Sequence, residues 1–300
     1  RASHTLNADL GRGASTTGGR IGRGWALAKQ SFAVLRADRS LAIFPVISLI
    51  TAVLAAAILF APGFALYSAD HKQAFLIVFG VIAVYGLTFV SIFFNVALSA
   101  CAAQALSGRQ TTVGEGIAAA RGRIGAIAAW ALVQTTVGLI LQAIQSVLAD
   151  NIIGRILSGL LTFAWGAATF FVIPVLALEG AGPREAFKRS VSVLRERWGE
   201  GVVGTVAVSG IVLLVGLIPV IILAAGGAAL VKSAPGPAIF LFVLAGLIFV
   251  AAAIAGTTLS AIFRVALYQF AVEGRATGGF EPEQLQSAFA PKKRRRLFGG

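Results

Sequence analysis

The chain is organised as six long apolar runs separated by short polar segments, at about residues 41–60, 73–103, 124–148, 156–178, 202–229 and 237–270. About twenty apolar residues cross a bilayer, so each run is long enough to be a membrane span. The second and sixth runs exceed that length and must tilt, kink or project beyond the lipid. The predicted fold is an all-α polytopic membrane protein with six transmembrane helices arranged as three helical hairpins. Residues 1–20 form a tail expected to be disordered, residues 21–275 the membrane domain, and residues 276–300 a basic cytoplasmic tail.

The polar segments carry a repeat. Lys29-Gln-Ser-Phe-Ala-Val-Leu-Arg36 returns 159 positions later as Lys188-Arg-Ser-Val-Ser-Val-Leu-Arg195. Trp25, Ala28, Phe32 and Leu35 in the first copy, and Phe187, Val191, Leu194 and Trp198 in the second, recur at helical spacing. Each copy predicts an amphipathic helix in the cytoplasmic headgroup layer, with Arg23, Lys29, Arg36, Lys188 and Arg195 placed to contact anionic lipid. Pro183 and Glu185 mark the start of the second. Thr112 and Glu115 have capping-box spacing and open a weaker relative before the third run. The resulting order, interfacial helix and two spans, occurs three times.

A second repeat relates the over-long runs. Thr88, Ser91, Phe94, Val96, Ala97 and Leu98 are identical to Thr257, Ser260, Phe263, Val265, Ala266 and Leu267, at a constant offset of 169. Fragments of the fourth run resemble both, so the even-numbered runs are related. Parallel repeats of this kind occur in transporters, and duplication of a packing unit produces the same pattern.

Charge then fixes orientation. Lys and Arg outside the runs number seven, one, three, one, five, one and six in chain order. Basic residues favour the cytoplasmic side, which predicts cytoplasmic termini and even loops. The same distribution explains the net charge of +13 without nucleic acid, because no compact basic domain or recognition motif is present. With 57% hydrophobic and 12% charged residues, the composition excludes an ordinary soluble domain.

One polar stripe enters the apolar runs. Thr88, Ser91, Asn95 and Ser99 share a face of the second, and Thr257, Ser260, Arg264 and Tyr268 repeat it in the sixth. Arg264 is the charged residue inside an apolar run, and it aligns with Asn95. An ionisable group at depth marks a functional site or a buried pair. Counting about twenty residues from Pro237 puts Arg264 near the cytoplasmic headgroups, where snorkelling is the alternative. Thr88, Ser91, Asn95, Thr257, Ser260 and Arg264 are therefore the candidate polar vestibule. Gln134, Gln142 and Gln145 are expected to bond between helices, and Pro45, Pro174 and Pro219 to kink their runs or to gate them.

The residue inventory argues against catalysis. No Asp or Glu lies inside a run, the two histidines are isolated, and the single Cys101 excludes an intrachain disulfide and is expected to pack as a small apolar residue. No enzyme activity, cofactor or metal is expected. The cluster Lys292, Lys293, Arg294, Arg295 and Arg296 either binds anionic lipid or only fixes topology. The expected partners are the lipid bilayer and its anionic headgroups, with a membrane protein as a further candidate and no nucleic acid. The absence of methionine predicts that Arg1 is not a native start.

Gly24-Trp25, Ser31, Leu35 and Phe44-Pro45, with the run from Phe171 to Ser190 containing Pro174, Glu179-Gly180 and Ala186, resemble an uncharacterised family of bacterial six-span membrane proteins. That family is similar to the membrane domain of some glycerophosphodiester phosphodiesterases, whose catalytic barrel has no counterpart here. The resemblance covers about residues 20–290. It implies the fold and a bacterial inner-membrane location; hydrolysis is not carried over, and the resemblance leaves the activity open. A non-enzymatic lipid-interacting or membrane-organising protein is the expected function, with a small-solute or lipid transporter as the alternative.

Overall fold

A computed structural model describes residues 30–65, 72–198 and 206–274, and the described residues are helical with no strand. Helix α1 (residues 30–37) leads through a 3-10 turn at Arg39–Ala42 into α2 (Ile43–Ala65), and α3 (Lys72–Leu106) packs along α2. Helix α4 (Val113–Arg121) precedes α5 (Ile124–Leu148), which pairs with α6 (Ile152–Ala168), and α7 (Val172–Leu178) follows. Helix α8 (Pro183–Trp198) precedes α9 (Val206–Leu230), which packs along α10 (Pro235–Glu273).

Five stretches are long and apolar enough to cross a membrane: Arg39–Ala61, Ile77–Leu106, Ile124–Leu148, Ile152–Leu178 and Pro235–Glu273. Helix length and hydropathy thus make this a multi-pass membrane protein. The run at 202–229 forms α9, a helix of 25 residues, of which Leu217–Leu230 is the apolar stretch among the residues whose side chains are described. Both tails, with Arg23, Lys29 and Lys292 to Arg296, lie outside the described residues.

Two local expectations change for clear reasons. The fourth run begins at Ile152 rather than Ile156, because the Asn151 side chain caps the helix by accepting the Gly154 N–H at 2.6 Å. The run is also broken at residues 169–171, between α6 and α7. Pro174 has no N–H for the Phe170 carbonyl and its ring crowds that oxygen, so the helix restarts with Pro174 in its first turn. Pro45 likewise sits in the first turn of α2, where a missing N–H costs nothing, so neither proline kinks a helix from within. Pro219 does lie inside α9. The Thr112–Glu115 capping box forms in both directions.

The over-long helices organise the molecule on two levels. At 1.5 Å per residue, α3 with 35 residues is about 52 Å long and α10 with 39 is about 58 Å, against about 30 Å of hydrocarbon. The buried core gathers at their C-terminal ends, over residues 92–106 and 258–271, together with Phe44, Ile127, Trp130, Phe171 and Leu176. Toward the other end the same helices expose large apolar side chains such as Val81, Phe240 and Leu247. Lipid is as apolar as leucine and does not drive helices together, whereas water does. Dense packing therefore belongs to the projecting end.

Short helices close that end. In α1 the deeply buried residues are Ser31 and Val34, and in α8 they are the equivalent Ser190 and Val193 with Ala186. This corrects the predicted faces: Phe32 is exposed, and Phe187, Val191 and Leu194 only flank the buried line. Small residues occupy the contact because the helix backbones pack closely on the protein rather than floating on lipid alone. Burial also follows the second repeat, since Val96, Ala97, Leu98 and Ser99 are buried like Val265, Ala266, Leu267 and Tyr268. Left-handed glycines, Gly108, Gly180 and Gly274, follow the ends of α3, α7 and α10, the related runs.

Candidate functional site

The break between α6 and α7 builds one wall of the site. The Ser190 hydroxyl from α8 donates to the Ala168 carbonyl at 2.7 Å and accepts the Phe171 N–H at 3.1 Å. These are backbone groups that the interrupted helix leaves unpaired. The turn also presents Phe170, whose ring centroid lies 5.5 Å from the guanidinium carbon of Arg264 on α10.

Arg264 is half-buried and lines a cavity of about 460 Å³ bounded by α3, α5, α7 and α10. Asn95, Gln134, Thr257 and Ser260 supply its other polar groups, beside Ile92, Ile173, Ala252, Ala253 and Gly256. The walls contain no carboxylate, and among the described residues none pairs with Arg264. Trp165 Nε1, a donor only, gives its hydrogen to Gln134 Oε1 at 2.8 Å, which leaves the Gln134 amide nitrogen as the remaining donor. Asn95 Nδ2 donates to the Ser91 carbonyl at 2.8 Å, and the Thr257 hydroxyl to the Ala253 carbonyl at 2.8 Å. The Thr257 proton is thereby committed, and the Gln134 amide nitrogen and the second Asn95 amide hydrogen are the donors left beside the fixed positive charge of Arg264, the chemistry of an anion site.

The residues expected to form the vestibule divide as follows. Asn95, Thr257, Ser260 and Arg264 come together in the cavity. Ser91 faces an adjoining groove between α2, α3 and α10, which it shares with Asn95 and Thr257. Thr88 lines neither. Arg264 does not simply extend outward, because it stacks on Phe170 inside the helix cluster. Of the basic residues expected at lipid headgroups, Arg36, Lys188 and Arg195 are exposed on α1 and α8. Gln145 Nε2 bonds the Thr162 hydroxyl at 2.8 Å, so with Gln134 it joins α5 to α6, while Gln142 is exposed. Cys101 is fully buried.

Two polar clusters went unforeseen. One turn beyond Arg264, the Tyr268 hydroxyl donates to Glu179 Oε1, and Arg189 Nε donates to the same oxygen at 3.2 Å. This ties α10 to the end of α7 and to α8, with the Tyr268 ring against Phe171 at 5.7 Å. The Tyr268 hydroxyl and, against the cost of burial, the Glu179 carboxylate hold the Arg189 guanidinium above its ordinary value. The resemblance of Leu-Ala-Leu-Glu-Gly at 176–180 to Phe-Ala-Val-Glu-Gly at 270–274 was the available signal for Glu179.

In the second cluster, Asp38 follows α1 and accepts four hydrogen bonds. Ser40 gives its N–H at 3.1 Å and its hydroxyl at 2.6 Å, and Thr111 gives its N–H at 3.0 Å and its hydroxyl at 2.7 Å. Burial opposes ionisation of Asp38, but these bonds outweigh it and hold the carboxyl below its ordinary value. The cluster clamps the start of α2 to the segment before α4.

The profile of a family of unknown function, DUF6159, matches residues 72–279, more than half of the chain. The chain belongs to the DUF6159 family. The DUF6159 match contains every residue of the Arg264 cavity, and α1 and α2 precede it. No curated protein and no solved structure matches the chain.

Proposed function

We propose that this DUF6159 protein is a non-enzymatic, lipid-interacting protein of the bacterial inner membrane that holds an anionic group, a phosphate or a carboxylate, at Arg264. The observation that carries this reading is a guanidinium in a cavity of about 460 Å³ with no carboxylate in its walls. An ion removed from water costs several kcal/mol unless paired, and stacking on an aromatic ring returns about 0.5–2 kcal/mol. An anion supplies the difference. The non-enzymatic part rests on cavity walls that carry no histidine, cysteine or carboxylate to act as acid, base or nucleophile.

The finer topology belongs to the same proposal. Six spans with cytoplasmic termini are supported by the alternation of basic residues and by the 25 apolar-rich residues of α9. The exposed Arg36, Lys188 and Arg195 would then stand at the cytoplasmic headgroups. The Phe171–Ser190 run resembles an uncharacterised six-span family that is in turn similar to the membrane domain of some glycerophosphodiester phosphodiesterases, which fits a lipid-facing role and brings no hydrolytic residue.

Transport is the second reading. It is favoured by Ala252, Gly256 and Ser260, a small-residue line on α10 that forms part of the cavity wall, where helices can approach and slide. Native mass spectrometry of gently extracted protein tests the main reading. A stoichiometric phosphate- or carboxylate-bearing adduct, lost in Arg264→Ala, is the expected result. Equal retention by both proteins overturns it. A fixed polypeptide adduct with no small ligand would instead indicate an accessory to a membrane partner.

A further inference from the structure

The Arg264 cavity adjoins a second space of different character. A groove of about 340 Å³ lies between α2, α3 and α10, and its walls include Leu49, Ala52, Leu98, Phe249, Val250 and Ile254. The two spaces share Asn95, Ala253 and Thr257. Leu49 and Phe249 are 44% and 49% exposed, so the groove opens sideways, toward the lipid, rather than into the protein.

Depth distinguishes the two. About twenty residues counted from Pro237 cross the hydrocarbon and end near Thr257. Phe249, Val250 and Ile254 then lie at the level of acyl chains, and Thr257 at their boundary. Arg264, seven residues further along α10, is about 10 Å beyond, within side-chain reach of the headgroup layer. A polar, positively charged cavity at headgroup level thus meets an apolar, laterally open groove at chain level. A small soluble anion would use only the first.

We propose that the ligand is a phospholipid, its phosphate held at Arg264 and one acyl chain lying in the groove between α2, α3 and α10. This rests on the reading of the Arg264 cavity as an anion site. It adds a requirement for a hydrocarbon chain, and it assigns the α2 wall of the groove to binding.

The full chain in maltoside micelles is titrated with lysophosphatidate and, separately, with glycerol 3-phosphate, which has the same phosphate and no chain. Lysophosphatidate is expected to bind in a 1:1 complex, at least tenfold tighter than glycerol 3-phosphate. Ala52→Phe, which fills the groove from α2 without touching the Arg264 cavity, should weaken lysophosphatidate at least tenfold and leave glycerol 3-phosphate unchanged. Val250→Trp fills the same groove from α10 and should do the same, which guards against a folding defect in either variant. Arg264→Ala should abolish both ligands. Glycerol 3-phosphate binding as tightly as lysophosphatidate, with both groove variants silent, overturns the chain site and leaves the anion site standing. Lysophosphatidate binding that survives Arg264→Ala, or no binding of either probe, overturns both.

Discussion

Ser190 accepts the Phe171 N–H at 3.1 Å and so seals the break in the fourth run from a different helix, nineteen residues away in sequence. The equivalent residue of the other repeat copy, Ser31, is just as buried and its hydroxyl has no partner among the described residues. The same side chain therefore has opposite energetic roles. Ser190→Ala should destabilise the protein by about 1–3 kcal/mol, by removing both hydrogen bonds of this buried hydroxyl, with the Phe171 N–H and the Ala168 carbonyl. Ser31→Ala should change stability by less than about 0.5 kcal/mol, because no bond is lost. Thermal or denaturant unfolding in detergent compares them, and equal effects would refute the distinction.

Asp38 gives a pH dependence. Its folded-state carboxyl lies below the ordinary value of 3.8, so the unfolded chain takes up its proton first as pH falls. Its contribution is fully present above that ordinary value and disappears as pH falls through the lower folded value. Asp38→Asn should therefore lower stability at neutral pH and flatten the acid limb of the unfolding profile. A parallel acid limb in the variant would mean that Asp38 does not control it.

Glu179 accepts hydrogen bonds from both Tyr268 and Arg189, so the three should act as a unit. Tyr268→Phe removes the hydroxyl and keeps the ring against Phe171. In a double-mutant cycle with Glu179→Gln, a coupling of about 0.5–3 kcal/mol is expected. Strict additivity would show that the pair does not hold α10 to α7.

The basic tail is predicted to bind anionic membranes. At about 1 kcal/mol per basic residue near such a surface, neutralising Lys292 to Arg296 should reduce vesicle binding of a peptide covering residues 276–300 by orders of magnitude. Unchanged binding would leave those residues a topological role alone.

Much of the fold is written in local pattern. Apolar run length marked the five spans, and the limits of α5 coincide with those of its run, Ile124 to Leu148, where Arg123 and Asp150 bracket it. The Thr112 cap and the two repeats were legible because they involve neighbours or a constant offset. What escaped involves partners far apart in sequence. Asp38 with Thr111 and Glu179 with Tyr268 lie 73 and 89 residues apart, and no periodicity links them. Pro174 was visible, but hydropathy runs unbroken through residues 169–171, so a helix restart looked like a kinked span. At the site, the stripe containing Asn95, Thr257, Ser260 and Arg264 could be read from helical spacing. Gln134 comes from α5 and Phe170 from the turn between α6 and α7, and only tertiary packing brings them there.

A crystal structure of the protein extracted with its native lipids tests the central claim most directly. The account predicts tetrahedral phosphate density, or a planar carboxylate, within hydrogen-bond distance of the Arg264 guanidinium as it lies over Phe170. A guanidinium satisfied by a protein carboxylate, or one turned out into solvent from an empty cavity, would contradict it.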